Sequence, residues 1–317
     1  MRLGPAPCGL SQFVDLVKNS VSTTLDANAA DRSLLAVFTD LFKARLTALV
    51  LLTTLVGYYA GLGANSLDLV QLFHALAGTG LLACGAAALN QFMEWRWDEQ
   101  MPRTASRPLP ARELQPLTVL FIGACISVIG MIWLTLKVNA LTGFLGVITL
   151  GSYLFVYTPL KRVTTLNTII GAIPGALPPL MGWTAATGEV SVGGWSLFAI
   201  LMFWQLPHFF AIAWMYRDQY SEAGYLMLPT VDPTGERTGR QAVCHTFGLL
   251  PVSLAPFVFQ IAGEIYLLGA LILGMTFFWQ AIQFSRRLDR DSARRLFFAS
   301  VMYLPLLLGL LVFDRLQ

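Results

Sequence analysis

Charge is what this chain of 317 residues has least of. Asp, Glu, Lys and Arg together make up 12% of it, about half the share found in soluble globular domains. So few charged groups cannot cover a water-facing surface, and a freely soluble protein is excluded. Histidine is scarcer, with three residues, and the four cysteines, Cys8, Cys84, Cys125 and Cys244, form no close pair. Neither a zinc site nor a disulfide framework follows from that spacing. Short segments of alternating polarity are also missing, which disfavours a membrane β-barrel.

What remains is apolar: 56% of residues are hydrophobic and the mean hydropathy is +0.62. A membrane helix needs about 20 mostly apolar residues. The chain divides into about nine such runs with short connections, at 41–62, 69–89, 117–136, 140–156, 168–184, 195–215, 242–262, 265–284 and 296–313. An all-α, polytopic membrane bundle is expected, with 41–317 as one transmembrane domain. Residues 1–40 carry Asp15, Lys18, Asp26, Asp31 and Arg32 and do not read as a cleaved signal. They are expected to form an N-terminal cytoplasmic arm.

The basic residues fall in alternate connections. Lys43 and Arg45, Arg96 to Arg112, Lys161 and Arg162, Arg217 to Arg240, and Arg286 to Arg295 lie on one side, against little more than Lys137 and Arg315 on the other. By the positive-inside rule the rich side, with the N-terminus, faces the cytoplasm or its topological equivalent.

On that side lies the longest polar interruption in the central part of the chain, NQFMEWRWDEQMPRTASRPLP at 90–110. If the preceding run leaves the bilayer as a helix, Asn90, Glu94 and Asp98, four apart, share one face. Arg103 and Arg107 follow, with forked donors that suit phosphate oxygens. Magnesium is commonly held by one or two carboxylates together with substrate phosphates, so this inventory suits a magnesium diphosphate. A solvated loop is the plain alternative. Lys43 and Arg45 read equally as interfacial anchors or as phosphate ligands.

Residues 168–184 contain Gly171, Pro174, Gly175, Pro178, Pro179 and Gly182, which predicts a kinked or locally unwound helix beside a cavity. Gln205 and His208 sit within the 195–215 run, where polar groups are costly and point to function. A packed histidine bonded to a neighbouring carbonyl is the alternative for His208. Beyond that run, Asp218 and Glu222 repeat the four-residue spacing.

Three stretches carry a family resemblance: 90–110, YTPLKRVTTLNTIIGAIPGALPPLMGW at 157–183, and FWQLPHFFAIAWMYRDQYSEAGYLMLP at 203–229. They resemble the haem-farnesylating branch of the UbiA-type intramembrane prenyltransferases, over about residues 40–310. The resemblance implies a nine-span bundle in a bacterial cell membrane, with its active site on the cytoplasmic side. It also implies magnesium as cofactor and farnesyl diphosphate and haem B as substrates, with haem O as product. The lipid bilayer is the surrounding partner, a haem A synthase or terminal-oxidase assembly factors are further partners, and no nucleic acid is involved.

By the same resemblance Asn90, Glu94, Asp98 and Asp218 hold the metal and serve catalysis. Arg103, Arg107, Lys161, Arg162, His208, Lys43, Arg45 and Tyr220 contact substrate. Three departures bear on the metal count and the basic entry: Trp95 and Arg96 follow Glu94, Gln219 follows Asp218, and Ala44 separates Lys43 from Arg45. One or two magnesium ions therefore remain open. Prenyl transfer to an aromatic or quinone precursor is the competing activity. A transporter is the competing class, since transporters too have broken helices and midplane polar groups.

Overall fold

The computed structural model describes residues 32–316, so most of the expected arm lies outside the described residues. Its last part forms a short helix, α1 (Leu34–Leu41), with Val37 and Leu41 buried. Among the described residues nine helices are long and apolar enough to cross a membrane. They are α2 (Ala44–Gly61), α3 (Leu69–Asp98), α4 (Pro116–Lys137), α5 (Ala140–Leu160), α6 (Asn167–Thr187), α7 (Val192–Met215), α9 (Glu236–Val258), α10 (Glu264–Arg287) and α11 (Arg290–Phe313). A six-residue helix, α8 (Arg217–Glu222), follows α7.

Local chemistry starts these helices where the apolar runs begin. Asp68 accepts from the amides of Val70 and Gln71 at the head of α3. Asn139 does the same for Thr142 at α5, and Asp289 for Ser292 at α11. Each satisfies donors that a helix N-terminus leaves without partners. All spans but α2 run longer than the apolar stretches suggest, and α3 most of all. Its 30 residues make a rod of about 45 Å, against about 30 Å of hydrocarbon, so its last turns carry Asn90, Glu94 and Asp98 toward the polar edge.

Neighbour contacts close one ring through α2, α3, α4, α5 and α6, and a second through α7, α9, α10 and α11. The rings meet where α6 packs on α7. α6 is the most buried span, and it remains one α-helix through Pro174, Pro178 and Pro179, so the expected unwinding does not occur. Instead the glycines set the spacing. A Cβ on Gly182 would lie 1.9 Å from the Thr54 carbonyl oxygen, and one on Gly57 would lie 2.0 Å from that of Pro179. Without side chains at these two positions α2 and α6 touch backbone to backbone, as small residues allow in membranes.

The irregular turn lies in α5, where Ser152–Tyr157 is π-helical. Thr149, Tyr153, Tyr157 and Lys161 all reach the same cavity. A four-residue spacing drifts around a 3.6-residue helix, and the wider π turn offsets that drift.

Gly57→Ala should force α2 from α6 and lower the stability by about 1–3 kcal/mol, the usual cost of overpacking. The check is the Tm of the detergent-solubilised protein; an unchanged Tm would contradict the backbone contact.

Candidate active site

A cavity of about 360 Å³ opens between α2, α3, α5, α6 and α7, a size typical of small-molecule sites. Its body is apolar and its mouth charged, and the mouth is built from three pairings. Lys161 Nζ donates to both Glu94 oxygens, at 2.8 and 3.0 Å. Arg107 Nη1 donates to Asp98 Oδ2 at 2.6 Å. Lys43 Nζ donates to Asn90 Oδ1 at 2.7 Å, while Asn90 Nδ2 donates to Glu94 Oε2 at 3.0 Å and to Thr158 Oγ1 at 3.2 Å.

These groups are held away from water. The Glu94 side chain is 8% exposed and that of Asp98 2%, and leaving either charge buried without its partner would cost about 3–5 kcal/mol. Lys43 enters the cavity from a left-handed backbone, φ 47°, a strained conformation for a residue with a side chain. Burial, with the nearby charges of Arg107 and Lys161, lowers its ammonium to a pKa of about 7. Burial acts on Lys161 in the same direction, but the Glu94 carboxylate outweighs it and holds that ammonium well above its ordinary value. The lining carries four basic side chains, Lys43, Arg103, Arg107 and Lys161, and two carboxylates. That inventory favours an anion.

The loop after α8 roofs the mouth. Leu226 N donates to the Lys161 carbonyl and Asn167 Nδ2 to the Leu226 carbonyl, which holds Tyr225 and Met227 over the cavity. Arg103 Nη2 donates to the Tyr220 hydroxyl at 2.8 Å, closing the opposite rim. Thr104 Oγ1 donates to the Asp98 carbonyl and fixes the turn that returns Arg107 to α3.

Of the residues predicted from sequence, Asn90, Glu94, Asp98, Arg103, Arg107, Lys161, Lys43 and Tyr220 line this cavity together. Four others do not. Asp218 is 89% exposed and lies 3.5 Å from Arg217 Nε. It stands two positions before Tyr220 on α8, so when Tyr220 faces inward Asp218 faces outward. Arg162, next to Lys161, stacks over the Trp97 ring at 3.4 Å, and Arg45 is exposed. His208 packs against α11: its Nδ1 lies 2.7 Å from Ser300 Oγ, and its ring stacks with Trp204 and Phe297. Ser300 Oγ donates to the Phe297 carbonyl, so Nδ1 is the donor toward the serine. Tyr153 and Tyr225 were missed as lining residues. Spacing could have found Tyr153, which stands four and eight residues before Tyr157 and Lys161; nothing local singles out Tyr225.

Charged groups at the mouth of a long apolar cavity make a membrane site suited to an amphipathic molecule with an anionic head. The chain belongs to the UbiA prenyltransferase family, whose model matches residues 50–304. It is 45% identical over 286 residues to the protoheme IX farnesyltransferase of Solibacter usitatus, covering 88% of this chain and 98% of that one. It is 41% identical over 276 residues to the human mitochondrial protoheme IX farnesyltransferase, covering 87% of this chain and 61% of the relative. The fold resembles a digeranylgeranylglyceryl phosphate synthase, with a TM-score of 0.75 at 14% identity over 88% of this chain and 98% of that one. It also resembles a UbiA homologue from Archaeoglobus fulgidus bound to GPP and Mg2+, with a TM-score of 0.61 at 12% identity over 86% and 99%.

If the mouth is the anion site, Lys161→Met should weaken binding of a prenyl diphosphate analogue by about tenfold or more, the worth of a charged hydrogen bond. Arg162→Met should change it by less than about threefold. Titration calorimetry on both variants checks this, and equal losses would return Arg162 to the site.

Proposed function

We infer that the chain transfers the farnesyl group of farnesyl diphosphate to a vinyl group of haem B, with addition of water, giving haem O and diphosphate. The observation that carries this reading is the Lys161–Glu94, Arg107–Asp98 and Lys43–Asn90 network at the head of an apolar cavity, in a chain at least 40% identical to curated farnesyltransferases over most of its length. Along α3 the lining runs from Thr79 to Asp98, a depth of about 28 Å. That is room for an extended farnesyl chain below its diphosphate.

The oxygen set at the mouth fits magnesium. Two carboxylates and an amide share one rim, and among the described residues no three acidic, histidine or cysteine side chains gather as a metal site. Glu94 and Asp98 would therefore hold the ion together with the oxygens of the diphosphate, the usual arrangement for magnesium. When bound, it neutralises charge on the leaving diphosphate. Asp218, turned outward, supports a single-ion reading. The same rim faces the side on which the basic loops gather, which supports a cytoplasmic opening.

The side chains themselves bind, orient and shield. Arg103, Arg107, Lys161 and Lys43 place donors where charge grows as the allylic C–O bond breaks, so their stabilisation is larger in the transition state than before it. The apolar wall and the roof formed by Tyr225 and Met227 keep stray water from the allylic cation. No side-chain nucleophile is required, because the vinyl group supplies the electrons.

Asp98→Asn should abolish turnover, since it removes one of two carboxylates and leaves Arg107 without its counter-ion. The assay uses purified protein with haem B, magnesium and farnesyl diphosphate, and reads farnesylated haem by mass. Wild-type activity in that variant would sink the metal assignment, and a wild-type protein that never farnesylates haem would sink the proposed activity.

A further inference from the structure

Gln205 is a polar residue of the cavity that diphosphate chemistry leaves unused. It lies mid-span in α7, 5% exposed, and lines the cavity wall. Its Nε2 donates to the carbonyls of Leu201, at 3.0 Å, and Ala172, at 3.3 Å. Those two acceptors settle the orientation of the amide, because turning it would set Oε1 against two carbonyl oxygens. Both N–H groups are thus committed, and Oε1 accepts no hydrogen bond among the described residues. Residue 175 being glycine lets the amide come against α6: a Cβ there would lie 2.0 Å from Oε1. Its neighbours along the wall, Pro174 and Pro178 on α6 and Phe209 on α7, are apolar, so the amide is the polar group of this part of the lining.

The level of this oxygen can be read from α6. A Cβ on Gly171 would lie 2.4 Å from the Tyr157 ring, whose centroid is 4.7 Å from Lys161 Nζ. Gly175 is one turn deeper, about 6 Å along the axis. Oε1 therefore sits one turn inside the cation network, which on the inferred farnesyl-to-haem reading is the level of the first prenyl carbons.

This is the level at which the second half of the inferred reaction occurs. In the first half a bond forms between the first farnesyl carbon and the terminal vinyl carbon of haem, while the C–O bond breaks and its electron pair leaves with diphosphate. The positive charge then rests on the vinyl carbon attached to the macrocycle. Two ends are open to it. Water adds its oxygen and loses a proton, giving the hydroxylated product, or the neighbouring carbon loses a proton, giving an alkene.

We propose that Gln205 Oε1 holds the water that adds to this cation. One O–H of the water donates to Oε1, which turns a lone pair toward the cavity. As the new C–O bond forms, the proton passes to the released diphosphate, the base made in the same turnover, and the amide keeps its own protonation. The proposal rests on the farnesyl-to-haem reading, and it makes Gln205 a positioning residue that decides the product.

The test is the product ratio. Purified full-length protein, wild type and Gln205→Met, is given haem B, magnesium and farnesyl diphosphate in isotope-labelled water, and hydroxylated and alkene products are separated by mass. The hydroxylated-to-alkene ratio should fall by about tenfold or more in the variant, a readout that a merely structural role would not move. An unchanged ratio overturns the proposal. Should Gln205→Met yield no farnesylated haem, Gln205→Glu, which keeps an oxygen acceptor at the same reach, decides: labelled hydroxylated product supports the proposal. Alkene alone, or no product, from Gln205→Glu shows a side chain that only ties α7 to α6 and overturns it. A wild-type protein that makes no farnesylated haem fails the underlying reading and takes this one with it.

Discussion

A carboxylate drawn out of water at the edge of a membrane bundle must be met by a cation, and the Lys161–Glu94 pair is where this chain meets that demand. The acid comes from the end of α3 and the base from the end of α5, so pairing them fixes where two spans end relative to each other. Arg107–Asp98 closes the following turn back onto α3, and Lys43–Asn90 draws in the head of α2. Three helices are thus registered at one rim. The same three pairings leave donors and oxygens facing one small volume, so one set of atoms serves structural registration and, on the proposed function, anion binding.

Below that rim the fold depends on what is absent from the helix surfaces. Gly57 and Gly182 let α2 and α6 touch along their backbones, and Gly171 and Gly175 leave room for Tyr157 and Gln205 to lean across. The cavity is the space these small residues leave between α6 and its neighbours. Its polar mouth and apolar depth give the amphipathic character that a prenyl diphosphate requires. On the proposed function, desolvation would orient the substrate, with its charged head at the rim because the wall below offers it almost no partners.

Much of this was legible in the sequence, and the failures have physical causes. The nine spans follow from apolar runs, and Asn90, Glu94 and Asp98 could be placed on one face because α3 continues as a helix past the hydrocarbon. Asp218 and Arg162 were read from residue type without direction, and the fold sets both outside the cavity lining. Each lies one or two positions from a lining residue, and the offset turns the side chain elsewhere, Asp218 into solvent on α8 and Arg162 over the Trp97 ring in the turn after α5. The prolines of α6 suggested unwinding, yet the helix stays continuous in its packed, buried setting, and the irregular turn appears in α5, where no breaker marks it. His208 carries the chemistry expected of a site, and its contacts with Ser300 and the Phe297 ring depend on the approach of α11, which the sequence does not show.

The central claim is that the paired rim exists to receive a magnesium diphosphate. The direct measurement is calorimetric binding of farnesyl thiodiphosphate, which is not turned over, to the purified wild-type protein with magnesium and after chelation. The account expects affinity to fall by about tenfold or more without the metal, as Glu94 and Asp98 return to Lys161 and Arg107. Equal affinity in both conditions would show that the cations alone hold the diphosphate, and would contradict the role given to the two carboxylates.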